Sequence, residues 1–103
     1  MDTFDASRVE IVIEAPLLTR LTNALEKAGV RGYTVLPVLG GYGRSGRWTR
    51  EGQVGAAGGM AMVVAIVAPE RADGLVAAAY EVVARHIGVV SVTPCRTIRR
   101  DRF

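Results

Sequence analysis

The sequence predicts an α+β fold of order βαββαβ: an antiparallel four-stranded sheet with both helices on one face. Three observations carry that expectation. Arg8 to Glu14 (RVEIVIE) alternates apolar and polar residues with period two, as a half-buried strand does. Two later stretches, each opened by a proline, carry apolar residues at helical spacing. The two halves also echo each other. Ile13-Glu14-Ala15-Pro16 recurs as Ile66-Val67-Ala68-Pro69, and Gly29-Val30, with Thr34 five residues past the glycine, recurs as Gly88-Val89 with Thr93. A chain that reads strand–helix–strand twice has the ferredoxin-like pattern.

The elements follow in order. After the first strand, Pro16 suits an opening helical turn. Leu17, Leu21, Ala24, Leu25 and Ala28 then form a stripe that Gly29 stops. Tyr33 to Leu39 (YTVLPVL) is the second strand, and Pro37, which cannot donate to a ladder, places it at an edge or a bulge. Residues 40–59 hold eight of the twelve glycines without periodicity and read as a long mobile loop, a length usually reserved for function. Met60 to Ala68 is an apolar run of strand length. Pro69 opens a second helix with Ala72, Leu75, Val76, Ala79, Val83 and Ile87 inside. Val89 to Thr93 is the fourth strand, and a basic segment, 94–103, ends the chain. One sheet face is left without a layer, with Tyr33, Met60 and Met62 expected on it, so burial against sister subunits is expected.

At 103 residues the chain is read as one domain, 1–103, small enough to gain stability by assembling. Cys95 is the single cysteine, which excludes an internal disulfide and a cysteine-rich zinc site. The stretch from Gly52 to Pro69 is interrupted by glycines and too weak to span a bilayer, and Asp2 and Asp5 do not resemble a secretion signal. A cytoplasmic protein is expected.

The net charge of +3 conceals a division. Twelve of the thirteen basic residues are arginines. Arg44, Arg47 and Arg50 fall in the glycine-rich loop, and Arg96, Arg99, Arg100 and Arg102 in the tail. With Glu51 and Asp101 included, these two segments carry five net positive charges and leave the remainder at −2. Arginine presents a planar fork of donors matched to phosphates and carboxylates, so an anion ligand is expected.

The motifs narrow the chemistry. Gly41-Tyr42-Gly43-Arg44-Ser45-Gly46 satisfies G-x-G-x-x-G, but Arg47-Trp48-Thr49-Arg50 leads into more glycine rather than a dinucleotide-binding helix. Arg47-Trp48 also stands where the Lys-Ser/Thr of a Walker loop belongs. What remains is a glycine-rich loop whose amides and arginines suit an anion, against the alternative of a solubilising loop. Arg31-Gly32-Tyr33 begins like an RNA-recognition strand, yet Val35, Leu36 and Val38 stand where further aromatics belong. Tyr42 and Trp48 suit either base stacking or simple packing. His86 reads as a helix-end cap and Cys95 as packing, and no nucleophile has a base beside it. A non-enzymatic protein without a metal is expected. An RNA-binding module and a structural assembly protein are the alternatives.

Beyond these readings, the chain resembles the PII signalling proteins. Gly29-Val30-Arg31-Gly32-Tyr33-Thr34-Val35, then Val38, then Gly41-Tyr42-Gly43-Arg44 is similar to the family stretch that enters its T-loop. Val67-Ala68-Pro69-Glu70 resembles the third-strand-to-helix junction, and Arg96-Thr97-Ile98-Arg99-Arg100 the basic C-terminal segment. The departures are a shorter loop whose only tyrosine, Tyr42, lies at its base, an extra glycine, Gly40, and His86-Ile87-Gly88-Val89-Val90 where a phosphate loop with aspartate and lysine belongs. They resemble the carboxysome-associated PII branch and the PII-like relatives of bicarbonate transporters.

The resemblance implies a homotrimer that binds ADP or AMP in clefts between subunits, with bicarbonate beside the nucleotide. It further implies that a regulated transporter or carboxysome-linked protein reads the state of the T-loop. Thr34, Gly40 and Gly41 would lie against the nucleoside, with Tyr42, Gly43, Gly88 and Val89 also at the site. Arg44 and Arg47 would reach the phosphates from one subunit, and Arg96, Arg99 and Arg100 would approach from another. Gly43, Arg44, Ser45 and Arg47 would hold bicarbonate.

Overall fold

A computed structural model describes residues 1–43, 46–49 and 59–98. Strand β1 spans Phe4–Glu14 and a 3₁₀ turn, Ala15–Leu17, leads into helix α1, Leu18–Lys27. Strands β2 (Thr34–Val38), β3 (Gly40–Gly43), β4 (Gly46–Thr49) and β5 (Met60–Val67) follow. A second 3₁₀ turn, Pro69–Arg71, opens helix α2, Ala72–Val83, and β6 spans Gly88–Thr97. The four-stranded sheet has the order β2-β5-β1-β6, with every neighbouring pair antiparallel. This is the ferredoxin-like arrangement that the repeated strand–helix–strand pattern predicts.

The prolines and Gly29 act as expected. Pro16 and Pro69 each open a 3₁₀ turn that runs into an α-helix. Gly29 adopts φ +92°, where it can end α1. Its N–H donates to the Glu26 carbonyl and the Val30 N–H to the Leu25 carbonyl, the paired bonds of a Schellman turn. Pro37 sits on an edge strand, where its missing donor breaks no ladder.

The core lies between the helices and one sheet face. Val9, Ile11 and Ile13 of β1 and Val63, Ala65 and Val67 of β5 meet Leu21 and Leu25 of α1 and Leu75, Ala79, Val82 and Val83 of α2. The other face carries the alternate residues. Because cross-strand partners share a face, the registers set Leu36, Met62, Val12 and Val89 in one row across all four strands. Leu36 is 40% and Val89 63% exposed, so among the described residues no layer covers this apolar row.

Several expectations are corrected. Both outer ends of the β1–β6 pair run further than the apolar patterns indicate, because Phe4 pairs with Thr97. Residues 94–97 of the expected basic tail are therefore strand, and Pro94 is accommodated because β6 is an edge. The 40–59 stretch, expected to be without structure, contains the β3–β4 hairpin, and 50–58 lies outside the described residues. Helix α2 stops at Val83, so Ile87 is 67% exposed in the following turn, where its N–H donates to Glu14 Oε1 at 3.0 Å. Val82 joins the core instead, and Ala28 lies exposed past the end of α1. Tyr33 packs on the helix side and donates its hydroxyl to Glu26 Oε2 at 2.7 Å, whereas Met60 and Met62 lie on the bare face as expected.

Candidate functional site

The antiparallel order brings the ends of β1 and β2 and the starts of β5 and β6 to one end of the sheet. The β3–β4 hairpin leaves from that end, immediately after β2. Its register pairs Gly40 with Thr49, Gly41 with Trp48, Tyr42 with Arg47 and Gly43 with Gly46. Tyr42 is 81% exposed and stands directly across from the exposed Arg47, so an aromatic ring and a guanidinium share one hairpin face. Trp48 shares the other face with Gly41.

Glycine is required here by the hairpin itself. A Cβ on Gly40 would stand 2.6 Å from the Trp48 carbonyl oxygen, and one on Gly41 would stand 2.8 Å from the Trp48 ring. Gly46 takes φ +96°, which strains any other residue. Gly88 is equally constrained: a Cβ there would lie 2.9 Å from the Val12 carbonyl oxygen. These glycines leave backbone open near the sheet end, and each also answers a local steric demand.

Of the residues singled out in the sequence, Gly40, Gly41, Tyr42, Gly43 and Arg47 come together on the hairpin, and Gly88 and Val89 lie at the same sheet end. Gly88 and Val89 belong to β6, the edge strand opposite β2 and about 14 Å from it across three strand spacings. Thr34 opens β2, exposed and opposite Val64. Arg96 does not join them. It lies near the far end of β6, roughly 27 Å along the strand from Gly88. There its Nε and Nη2 donate to Thr3 Oγ1 at 3.0 and 2.6 Å. Arg44, Ser45, Arg99 and Arg100 lie outside the described residues.

Two features near that far end have no clear motif in the sequence. A cleft of about 200 Å³ lies between the turn after α1 and the start of α2, with Val30, Val67 and Leu75 as apolar lining and Arg31, Glu70 and Arg71 as charged lining. Its best signal in the sequence is Gly29, where a Cβ would meet Arg71 Nη1 at 3.4 Å. A more polar cleft of about 630 Å³, lined by residues 3–5 and 68–71, adjoins Thr3, the partner of Arg96. Among the described residues, no three His, Cys, Asp or Glu side chains gather as metal ligands. None of the described helices is long and apolar enough to cross a membrane.

Tyr33 has a shifted ionisation. Its hydrogen bond to the Glu26 carboxylate, with a smaller desolvation effect, raises the phenol above its usual value. The bond fixes Tyr33 at the entrance to β2, one residue before Thr34. A tyrosine held in this way on the helix side is not part of a base-stacking platform on the open sheet face.

A comparison with curated protein sequences finds no match. Among solved structures, the chain is similar to CPII, a nitrogen regulatory PII-like protein from Thiomonas intermedia K12 bound to ADP, AMP and bicarbonate. The TM-score is 0.89 at 26% identity, over 99% of this chain and 96% of that one. The same protein bound to ADP and bicarbonate matches with a TM-score of 0.85, at 26% identity over 99% and 97% of the two chains. A PII-like signalling protein from Thermus thermophilus matches with a TM-score of 0.81, at 25% identity over 100% and 99%. The family model for nitrogen regulatory protein P-II matches residues 6–102, nearly the whole fold described above. The chain belongs to the nitrogen regulatory protein P-II family and is PII-like in fold.

Proposed function

We propose that this chain is a non-enzymatic, single-domain regulator of the cytoplasm that binds an adenine nucleotide, ADP or AMP, together with bicarbonate. The likeness to CPII in its ADP-, AMP- and bicarbonate-bound form carries this reading, since it extends over 99% of the chain. The nucleotide sits in clefts between the subunits of a homotrimer. Thr34, Gly40, Gly41, Tyr42, Gly43, Arg47, Gly88 and Val89 serve the site, together with Arg44. Arg96, Arg99 and Arg100 serve it from a neighbouring subunit.

Two observations support an inter-subunit arrangement. The bare sheet face offers an apolar row for sister chains to cover. Arg96 lies about 27 Å along β6 from Gly88, too far to share a small ligand within one chain. Bicarbonate is small, planar and anionic, which suits the Gly43-Arg44-Ser45 amides and the arginine forks of Arg44 and Arg47. Ligand occupancy changes the state of the T-loop, and a transporter or carboxysome-linked protein reads that state to adjust inorganic-carbon uptake or fixation.

A thermal-shift panel of ATP, ADP, AMP, cyclic AMP and 2-oxoglutarate, each with and without bicarbonate, tests the ligand assignment. The expected result is stabilisation by ADP or AMP that grows with bicarbonate. No response to any nucleotide overturns it.

A further inference from the structure

The β3–β4 hairpin has two unlike faces. On one, Tyr42 and Arg47 stand across from each other; on the other, Gly41 has no side chain and Trp48 lies across from it. The Trp48 ring fills the space a side chain at 41 would take. A Cβ on Gly41 would stand 2.8 Å from Cζ2, 3.1 Å from Cε2 and 3.4 Å from Nε1. Three ring atoms so close to one point mean that the indole lies on the Gly41 backbone. Trp48 is half-buried by this placement, although the hairpin stands apart from the hydrophobic core.

We infer that Trp48 is a built-in occupant of the Gly41 surface, displaced when an adenine nucleotide binds there. This rests on the reading that Gly40 and Gly41 lie against the nucleotide. A nucleoside ring laid against the Gly41 backbone on that face needs the volume that the indole fills. The two cannot share one face of Gly41. The free protein is therefore a mixture of covered and uncovered hairpins, and its apparent affinity is the intrinsic affinity scaled by the uncovered fraction. Trp48 thereby sets the nucleotide concentration at which the site fills without contacting the nucleotide.

Trp48 is the single tryptophan of the chain, so intrinsic fluorescence reports on it alone. The test pairs acrylamide quenching of the wild-type protein, with and without ADP, with calorimetry of ADP binding to wild type and Trp48→Ala. The expected results are increased quenching on ADP binding and tighter binding by Trp48→Ala, roughly three- to tenfold, the scale of one aromatic contact. ADP binding to the wild type with unchanged or reduced quenching, or equal or weaker binding by Trp48→Ala, overturns the cover and leaves the nucleotide reading standing. Binding by Trp48→Ala alone supports the cover in its strongest form. Binding by neither protein overturns both.

Discussion

Gly88 stands so close to Val12 that a Cβ on it would lie 2.9 Å from the Val12 carbonyl oxygen and 3.4 Å from Val83 Cβ. The first residue of β6 is thus fixed by packing between β1 and α2, whatever its part in binding a ligand. Gly88→Ala should destabilise the fold by about 1–3 kcal/mol, the usual cost of forcing an extra carbon into a filled space. Chemical denaturation without nucleotide checks this, and an unchanged midpoint would return Gly88 to a purely ligand-binding role.

Leu21 and Leu25 are fully buried in the helix–sheet core, whereas Leu39 is 74% exposed between β2 and β3. Leu21→Ala or Leu25→Ala should cost about 2–5 kcal/mol. Leu39→Ala should remain within about 0.5 kcal/mol of wild type. Urea titration of the three variants separates the positions, and comparable losses at 21 and 39 would contradict the core assignment.

The hydrogen bond from Tyr33 to Glu26 raises the phenol's ionisation above the ordinary value of about 10. The folded state holds this proton more tightly than the unfolded chain does. The contribution is therefore complete below about pH 10 and is lost as pH rises through the raised folded value. Denaturation at about pH 9 and about pH 11, either side of the ordinary phenol value, should show wild type losing more stability than Tyr33→Phe. Equal losses would mean that the bond contributes nothing.

Met62 lies in the apolar row Leu36–Met62–Val12–Val89 on the face away from the helices. If sister chains bury that row, a charge at its centre is desolvated in the assembly but tolerated in the isolated chain. Met62→Lys should shift the sedimenting species from trimer toward monomer with its circular dichroism preserved. The same mass for wild type and variant would contradict burial of this face.

The helices and the inner strands are legible in the sequence because their residues carry period and punctuation: RVEIVIE alternates, and Pro16, Gly29 and Pro69 mark boundaries. The outer reach of β1 and β6 is not. Residues Ser91 to Thr97 form an edge on which only Cys95 and Thr97 are half-buried, and pairing with β1 rather than apolar alternation sets the strand length. The hairpin is hidden for a related reason. Gly40, Gly41 and Gly43 have no side chains to alternate, and the pairing depends on Trp48 and Thr49 across the turn. Tyr33 falls on the helix side because it shares the face of Val35, which pairs with buried Val63, whereas Thr34 and Leu36 take the bare face. At the candidate site, Gly40, Gly41, Gly43, Gly46 and Arg47 of the glycine- and arginine-rich stretch lie on the hairpin. The bond between Arg96 and Thr3 joins residues 93 positions apart, which no local pattern encodes.

The proposed function stands on joint binding of adenine nucleotide and bicarbonate. Calorimetric titration of the assembled protein with ADP, in bicarbonate-free buffer and again with bicarbonate, reads that coupling without an intermediate assay. The expected result is saturable ADP binding that tightens when bicarbonate is present and weakens in Arg44→Ala under both conditions. ADP binding that is absent, or indifferent to both bicarbonate and Arg44, would contradict it.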